Sequence, residues 1–126
     1  MIAGIGTDII EVERILRLIQ KDDFFKLKVF TELEIQYCES KKSKAESYAA
    51  RFAAKEAMFK AMGTGWRGEM KFTDVEVYND ELGKPFIRTY GAVTEYLSLK
   101  NIQNIHVSMS HIKSIGMATI VLEFSR

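Results

Sequence analysis

The chain has 126 residues, 47% of them hydrophobic, and its 18 lysines and arginines almost balance 17 aspartates and glutamates. This length and composition predict one domain, 1–126, with a substantial core, and the near-zero net charge argues against a nucleic-acid-binding protein. Because Cys38 is the only cysteine and no apolar run approaches the ~18 residues of a membrane helix, we expect a soluble cytoplasmic protein without disulfides or a membrane partner.

The first segment is predicted to form a strand followed by a helix. Residues 2–12 are rich in Ile, Val and Thr, which are typical of strands, and Gly4 and Gly6 loosen this strand. In residues 12–21 the apolar side chains recur at helical spacing on one side, which predicts a helix.

Two further helices are indicated by the residues at their ends. Thr31 and Glu34 form the Thr-x-x-Glu pattern of a capping box, which predicts a helix over 32–39. The main helix is predicted over 45–62, because Gly63 is a favoured residue immediately after a helix C-terminus.

The second half of the chain changes to the period of strands. Alternation over 72–80 predicts a half-buried strand, and residues 80–86 read as a turn whose proline opens the next extended segment. A short helix is predicted over 92–100, and strands follow over 105–110 and 115–124. The last strand is apolar on both sides and is expected to be central. Helices early and strands late favour an α+β fold.

Glu56 stands among the apolar residues of the main helix. With about 100° per residue, its side chain falls inside the apolar arc that runs from Met62 through Phe52 to Ala49. An ionised carboxylate in such surroundings costs several kcal/mol unless it is paired or coordinates a metal. One interpretation is therefore a metal ligand, and the other is an ordinary i,i+4 ion pair with Lys60 on a solvated edge.

Three cations lie on the shoulders of the same arc, namely Arg51, Lys55 and Lys60. Three cations beside one acid leave a positive balance, which suits a polyanion such as a phosphorylated cofactor. Gly63 and Gly65 permit a close approach of backbone to a ligand, although a helix stop explains Gly63 equally well.

Asp8 is the second candidate ligand for a metal. A strand loosened by glycines presents this acid among isoleucines, and Mg²⁺ takes oxygen ligands from one or two carboxylates, water and substrate phosphate. The alternative is that Asp8 is a turn or capping residue. A zinc site is not expected, because two histidines and one cysteine are too few.

Several segments resemble one family in the same order along the chain: 4–15 (GIGTDIIEVERI), 29–34 (VFTELE), 51–65 (RFAAKEAMFKAMGTG), 83–85 (GKP) and 107–111 (VSMSH). They closely resemble the signatures of the holo-acyl-carrier-protein synthases, the short bacterial-type 4′-phosphopantetheinyl transferases. The resemblance implies that family's fold, with helices packed on a mainly antiparallel sheet. The segment 51–65 is the specific one, whereas GKP or Ser-His alone is weak.

The resemblance implies transfer of 4′-phosphopantetheine from coenzyme A to a serine of apo acyl carrier protein in fatty acid biosynthesis, with release of adenosine 3′,5′-bisphosphate. It implies Asp8 and Glu56 as the ligands of Mg²⁺, and Lys60 beside the transferring phosphate. The group that takes the serine proton stays open between Glu56 through an ordered water, Asp8 and a metal-bound water.

The resemblance also implies a homotrimer with sites between protomers, since larger relatives build the site between two halves of one chain. Arg51 and Lys55 would hold coenzyme A phosphates, and a histidine or serine from a neighbour would help to bind the nucleotide, although a strand-edge role for each histidine stays open. The residues implied for coenzyme A are Arg51, Lys55, Lys60, Gly63, Gly65, Pro85, His106, Ser110 and His111.

A basic strip is predicted on the first helix. Arg14, Arg17 and Lys21 are spaced at three and four residues and share one helical face, and Lys28 follows. Carrier proteins are acidic and the family docks them on this helix, which indicates a carrier-docking strip. The alternative is an ordinary solvated face.

Two other function classes stay open on the sequence. One is a non-catalytic oligomeric module that binds coenzyme A or a nucleotide through the Glu56 helix. The other is a purely structural oligomer in which Glu56 and Lys60 form only an ion pair. Trp66 has no assigned role: it would wall the adenine or pack between subunits.

Overall fold

The structure, a computed structural model, describes residues 1–65 and 68–126, so Trp66 lies outside the described residues. Five helices, five strands and one 3-10 turn are formed within these ranges. In chain order they are β1 (Ile2–Glu11), α1 (Val12–Lys21), α2 (Phe24–Val29), α3 (Glu32–Glu39), α4 (Lys44–Met62), the 3-10 turn (Phe72–Asp74), β2 (Val75–Asn79), β3 (Pro85–Thr89), α5 (Gly91–Leu99), β4 (Ile102–His111) and β5 (Ile115–Phe124). The predicted α+β class is confirmed.

The main sheet is antiparallel, in the order β1-β5-β4. The strand predicted to be central, β5, is central, and its Ala118, Ile120 and Leu122 are buried on the face toward the helices. The opposite face is called the outer face here. Ile9 and Ser110 flank Met117 on it, in one row across the three strands.

Helix α4 runs through the middle of the molecule. It packs on β1 and β5 on one side and on α1, α3 and β2 on the other. Most of its residues are therefore buried, including Tyr48 and Phe59. Alanines at 49, 50, 53, 54, 57 and 61 let neighbouring elements approach, and the larger side chains fill the space between them.

Gly4 and Gly6 allow β1 to lie directly on the backbone of α4. A Cβ added at Gly4 would lie 2.0 Å from the carbonyl oxygen of Ala61, and one at Gly6 would lie 2.1 Å from that of Ala57. No side chain fits at such distances, so these glycines are required for close packing. Their role is thus more specific than the predicted loosening of the strand.

The predicted start of α3 and the predicted end of α4 are confirmed. Thr31 Oγ1 accepts a hydrogen bond from the Glu34 amide, while Glu34 Oε1 accepts one from the Thr31 amide, which completes the capping box. Gly63 ends α4 in the left-handed region with φ of +77°. The sequence patterns missed α2 and the 3-10 turn, since both are too short to show a period. No helix in the described part of the chain is long and apolar enough to cross a membrane.

Candidate functional site

Strand β1 presents Asp8 to helix α4. Alternate side chains of a strand share a face, and Gly4, Gly6, Asp8 and Ile10 take the face toward α4. The tight contact at the glycines therefore brings the carboxylate of Asp8 next to the C-terminal half of the helix. Ile9, by contrast, points to the outer face and is exposed.

Lys60 of α4 binds Asp8. Its ammonium nitrogen lies 2.8 Å from Asp8 Oδ1 and donates a second hydrogen bond of 3.0 Å to the carbonyl of Thr7. The Lys60 side chain is 54% exposed and that of Asp8 is 15% exposed. The ammonium is therefore tethered to β1 at one side and open to solvent at the other.

Glu56 lies one turn before Lys60 and is half-buried. Burial raises the pKa of its carboxyl above the ordinary value of 4.5, and the nearby charge of Asp8 raises it further. The cations of Lys60 and Arg14 oppose this rise. Asp8 and Glu56, called here the carboxylate pair, are thus close enough to repel each other. The nearness of Arg14 was missed by the sequence patterns.

The carboxylate pair fits a hard divalent cation. Two repelling carboxylates are the oxygen donors that Mg²⁺ prefers, and such a cation would relieve their repulsion. Within residues 1–65 and 68–126, no three His, Cys, Asp or Glu side chains cluster closely enough to hold a metal. Water and phosphate oxygens would have to supply the remaining ligands of a bound Mg²⁺.

Arg51 lies on another side of α4, about 140° around the helix from Glu56. Its side chain is buried, at 3% exposure, and its guanidinium carbon lies 3.9 Å from the centre of the Tyr37 ring. Nη2 donates a hydrogen bond to Asn79 Oδ1. Nε is buried and finds no hydrogen-bond partner in the described part of the chain.

A cavity of about 180 Å³ adjoins this guanidinium and is called here the arginine cavity. It brings together three of the residues predicted for coenzyme A, Arg51, Pro85 and His111. None of Asp8, Glu56 and Lys60 lines it. Its remaining lining residues are Tyr37, Ser47, Ala50, Asn79, Gly83 and Met109.

The structure corrects the prediction for Lys55. Its side chain is fully buried, and its ammonium lies 2.8 Å from Glu34 Oε1. It also donates hydrogen bonds to the carbonyls of Phe72 and Val75. The helical wheel placed Lys55 on a shoulder of the apolar arc that contains Glu56, but α3 and β2 cover that side of α4. Lys55 is therefore not available to an external phosphate, and the three cations do not form one cluster.

The two histidines are separated. His111 Nδ1 lies 2.9 Å from Glu46 Oε1 at the start of α4, beside the arginine cavity. His106 is on the outer face, where its Nε2 lies 2.5 Å from Glu123 Oε1. Ser110 is exposed on the same outer face. That a neighbouring protomer presents these residues to the nucleotide stays a prediction.

Gly63 and Gly65 follow Lys60 at the end of α4. Both have left-handed φ values, +77° and +63°, which favour glycine. Nothing lies within 4 Å of a Cβ added at either position. The backbone here is thus exposed next to Lys60, as the predicted contact with a nucleotide requires.

The basic strip lies along the surface of α1 and α2. Arg14, Arg17, Lys21 and Lys28 are all exposed. Since Arg14 lowers the pKa of Glu56, the strip begins beside the carboxylate pair. Near its other end is an apolar cavity of about 350 Å³. The residues that line this cavity are Leu18, Lys21, Asp22, Phe24, Phe25, Lys28, Val29, Phe52 and Phe72.

Comparison with known proteins gives a consistent result. The family model of the 4′-phosphopantetheinyl transferase superfamily matches residues 4–118. A holo-[acyl-carrier-protein] synthase of Solibacter usitatus is 46% identical over 125 residues, which cover 98% of this chain and 99% of the relative.

Solved structures agree with these sequence matches. A holo-(acyl-carrier-protein) synthase from Bacillus anthracis in complex with CoA (3′,5′-ADP) is similar to this chain with a TM-score of 0.83 and 41% identity, covering 99% of each chain. The holo-[acyl-carrier-protein] synthase of Neisseria meningitidis is similar with a TM-score of 0.89 and 37% identity, covering 98% of this chain and 99% of its own.

Proposed function

Because this chain belongs to the 4′-phosphopantetheinyl transferase superfamily, we propose that it transfers 4′-phosphopantetheine from coenzyme A to a serine of apo acyl carrier protein. The serine oxygen forms a bond to the β-phosphorus, the bond from that phosphorus to the bridging oxygen breaks, and adenosine 3′,5′-bisphosphate leaves. The observation that carries the proposal is the carboxylate pair with the ammonium of Lys60 beside it. The pathway that this reaction serves is fatty acid biosynthesis in the cytoplasm.

The carboxylate pair would hold Mg²⁺, which neutralises pyrophosphate charge and orients the leaving group when it is bound. Lys60 is tethered to Asp8 and half exposed, so its ammonium stabilises charge that develops on the transferring phosphate. The exposed backbone at Gly63 and Gly65 lets the nucleotide approach closely.

Glu56 is our first candidate for the base that takes the serine proton. An ordered water between Glu56 and the serine would take the serine proton and pass it on to this carboxylate. Asp8 is the second candidate, because its carboxylate is engaged by Lys60.

We further propose a homotrimer in which each site lies between protomers. The carboxylate pair and the arginine cavity both carry residues predicted for coenzyme A, yet they lie on different sides of α4. A second protomer would bring one carboxylate pair to the arginine cavity of its neighbour. The outer face supports this arrangement, because Ile5 and Ile9 are 65% and 66% exposed there.

The basic strip is proposed to dock the carrier protein. Its cations suit an acidic partner, and the adjacent apolar cavity offers a place for an apolar side chain of that partner. Since the strip begins beside the carboxylate pair, a carrier bound there would hold its serine near the reacting phosphate.

The decisive experiment incubates the protein with coenzyme A, Mg²⁺ and an apo acyl carrier protein, and then measures the mass of the carrier. We expect a phosphopantetheine adduct with wild type and none with Asp8→Asn or Glu56→Gln. Glu81→Gln is the matched control, because Glu81 is exposed in the β2–β3 turn, and it should react like wild type. Nucleotide binding without an adduct on any of several carriers would instead indicate a non-catalytic binding module.

A further inference from the structure

The burial of Arg51 is unlike that of the other buried cation of α4. Lys55, one turn later, is fully buried and pairs with the carboxylate of Glu34. In the described ranges 1–65 and 68–126, no carboxylate lies within ion-pair distance of Arg51. Burying an unpaired charge costs free energy. The buried positive charge of Arg51 is not neutralised by a carboxylate of these residues, which indicates that an anionic ligand pairs with it.

Two neutral groups hold this guanidinium in place. The Tyr37 ring lies beneath it at 3.9 Å, a distance typical of a cation–π contact. The amide of Asn79 uses both of its ends: its oxygen accepts from Arg51 Nη2, and its nitrogen donates to the carbonyl of Gly83 over 2.9 Å. Asn79 is thereby fixed to the β2–β3 turn.

That turn is itself rigidly built. Asp80 Oδ1 accepts hydrogen bonds from the amides of Leu82 and Lys84, each over 2.9 Å, and the Asp80 amide donates to the carbonyl of Lys84. Asn79 is the last residue of β2 and immediately precedes this turn, so the position of its backbone is fixed. The turn thus fixes the side chain of Asn79, and Asn79 in turn fixes the position of the Arg51 guanidinium.

An amide here has a different electrostatic effect from a carboxylate of the same size. Both accept a hydrogen bond from the guanidinium, but a carboxylate would neutralise its charge and compete with an anionic ligand. Only an amide can also donate to the carbonyl of Gly83. Asn79 thus orients Arg51 without neutralising its charge. Among the described residues, the N–H group of the buried Arg51 Nε has no hydrogen-bond acceptor, so it can still donate to a ligand.

We propose that Tyr37 and Asn79 are positioning residues that hold Arg51, still charged, for a phosphate group of the nucleotide in the arginine cavity. This inference rests on the proposed function, since the nucleotide is the one that coenzyme A supplies. Neither residue touches the reacting atoms, and both act through Arg51.

The first test replaces Asn79 by a carboxylate. Asn79→Asp should weaken binding of adenosine 3′,5′-bisphosphate, measured by calorimetry, on the order of tenfold, because the new carboxylate pairs with Arg51. The KM for coenzyme A should rise by a similar factor, while kcat at saturating coenzyme A and the KM for the carrier stay within about twofold. Leu82→Ala, at an exposed site in the same turn, should leave every value unchanged.

The second test separates the ring from the rest of Tyr37. Tyr37→Phe keeps the face under the guanidinium and should bind the nucleotide like wild type. Tyr37→Leu removes the face and should weaken binding about fivefold. This pair keeps the proposal testable if Asn79→Asp fails to fold, because Tyr37 is only half-buried.

The outcomes distinguish the inference from the function beneath it. If Arg51→Ala weakens nucleotide binding while folded Asn79→Asp and Tyr37→Leu bind like wild type, the positioning role is wrong and the proposed function stands. If wild type neither binds adenosine 3′,5′-bisphosphate nor modifies a carrier, the proposed function fails and the inference fails with it. Loss of affinity in both variants with kcat retained supports the inference.

Discussion

Lys55 and Glu56 are neighbours in the chain but have opposite environments. Lys55 is enclosed and forms an ion pair with Glu34, whereas Glu56 is half-buried and faces the negative charge of Asp8. Within residues 1–65 and 68–126, no cationic side chain lies within ion-pair distance of Glu56. Burial therefore disfavours the ionised form of this carboxyl, and a bound cation would reverse that effect. At the residue scale, the binding of Mg²⁺, the protonation of Glu56 and the stability of the fold are therefore coupled through this carboxyl.

Glu56→Gln is predicted to remove both the pH dependence and the magnesium response of this site. The raised pKa means that the folded protein holds the proton more tightly than the unfolded chain, so this stabilisation is present below pH 4.5 and is lost as the pH rises through the folded-state pKa. Without Mg²⁺, Glu56→Gln should therefore have a higher Tm than wild type at pH values above the folded-state pKa of Glu56, and the same Tm as wild type below pH 4.5. Thermal unfolding at a series of pH values measures the difference.

Magnesium should act in the opposite direction on wild type. A ligand that binds only the folded state adds about 2.7 kcal/mol at a hundredfold excess over its Kd, so Mg²⁺ should raise the wild-type Tm at neutral pH and leave that of Glu56→Gln unchanged. Glu81→Gln should respond like wild type. An equal magnesium shift in Glu56→Gln and wild type would exclude Glu56 as a ligand.

At the scale of elements, Lys55 joins three parts of the fold to α4. Its ammonium contacts α3 through Glu34, the 3-10 turn through the Phe72 carbonyl, and β2 through the Val75 carbonyl. Glu34 in turn accepts a hydrogen bond of 2.7 Å from the Val77 amide. The buried pair of Lys55 and Glu34 therefore holds α3, the 3-10 turn and β2 against α4.

The same substitution at two lysines of α4 should have opposite effects. Lys55→Met leaves the charge of Glu34 buried and alone, which should lower the free energy of unfolding by about 3–5 kcal/mol, with the KM for coenzyme A unchanged. Lys60→Met should change stability less, because the Lys60 side chain is 54% exposed, but should lower kcat. Urea unfolding and steady-state kinetics of both variants provide the comparison, and a large rise in KM for Lys55→Met would restore Lys55 to the cofactor site.

At the scale of the whole molecule, two surfaces are proposed to meet other chains. The outer face of the main sheet carries exposed isoleucines of β1 together with Met117 of β5. The basic strip lies on α1 and α2, around a different part of the molecule. Their separation allows a protomer to bind its neighbours and a carrier at the same time.

Ile9→Glu is predicted to dissociate the proposed trimer. A charge in the middle of the outer face would be buried against the neighbouring protomer, which is strongly unfavourable. Light scattering should show a smaller species that retains its circular dichroism and loses transfer activity. Leu99→Glu is the matched control, since Leu99 is exposed at the end of α5. If Ile9→Glu stays the same size as wild type, the outer face is not the interface.

Lys21→Glu is predicted to weaken carrier docking selectively. Lys21 is a better probe than Arg14, because reversing Arg14 would also change the pKa of Glu56. We expect the KM for the carrier to rise several-fold at low salt and less at high salt, with the KM for coenzyme A unchanged. Lys100→Glu, at the exposed residue immediately after α5, is the control reversal. A rise in both KM values alike would remove Lys21 from the docking strip.

The sequence alone determined features that depend on local chemistry. The capping box at Thr31, the helix end at Gly63 and the central position of β5 follow from side chains a few residues apart. Asp8 and Glu56 were likewise identified from their apolar neighbours in the sequence as candidate metal ligands. The segments around them carried the family resemblance that the comparisons confirmed.

Only the tertiary structure decided which side of α4 each charged residue occupies in the packed molecule. A helical wheel gives the angle of Arg51, Lys55 and Glu56, but it does not show which layers cover that angle. Because α4 is enclosed on both sides, Lys55 became a structural cation and Arg51 a buried charge held by Tyr37 and Asn79. Those partners are distant in sequence, and contacts of that kind arise only when the layers pack together.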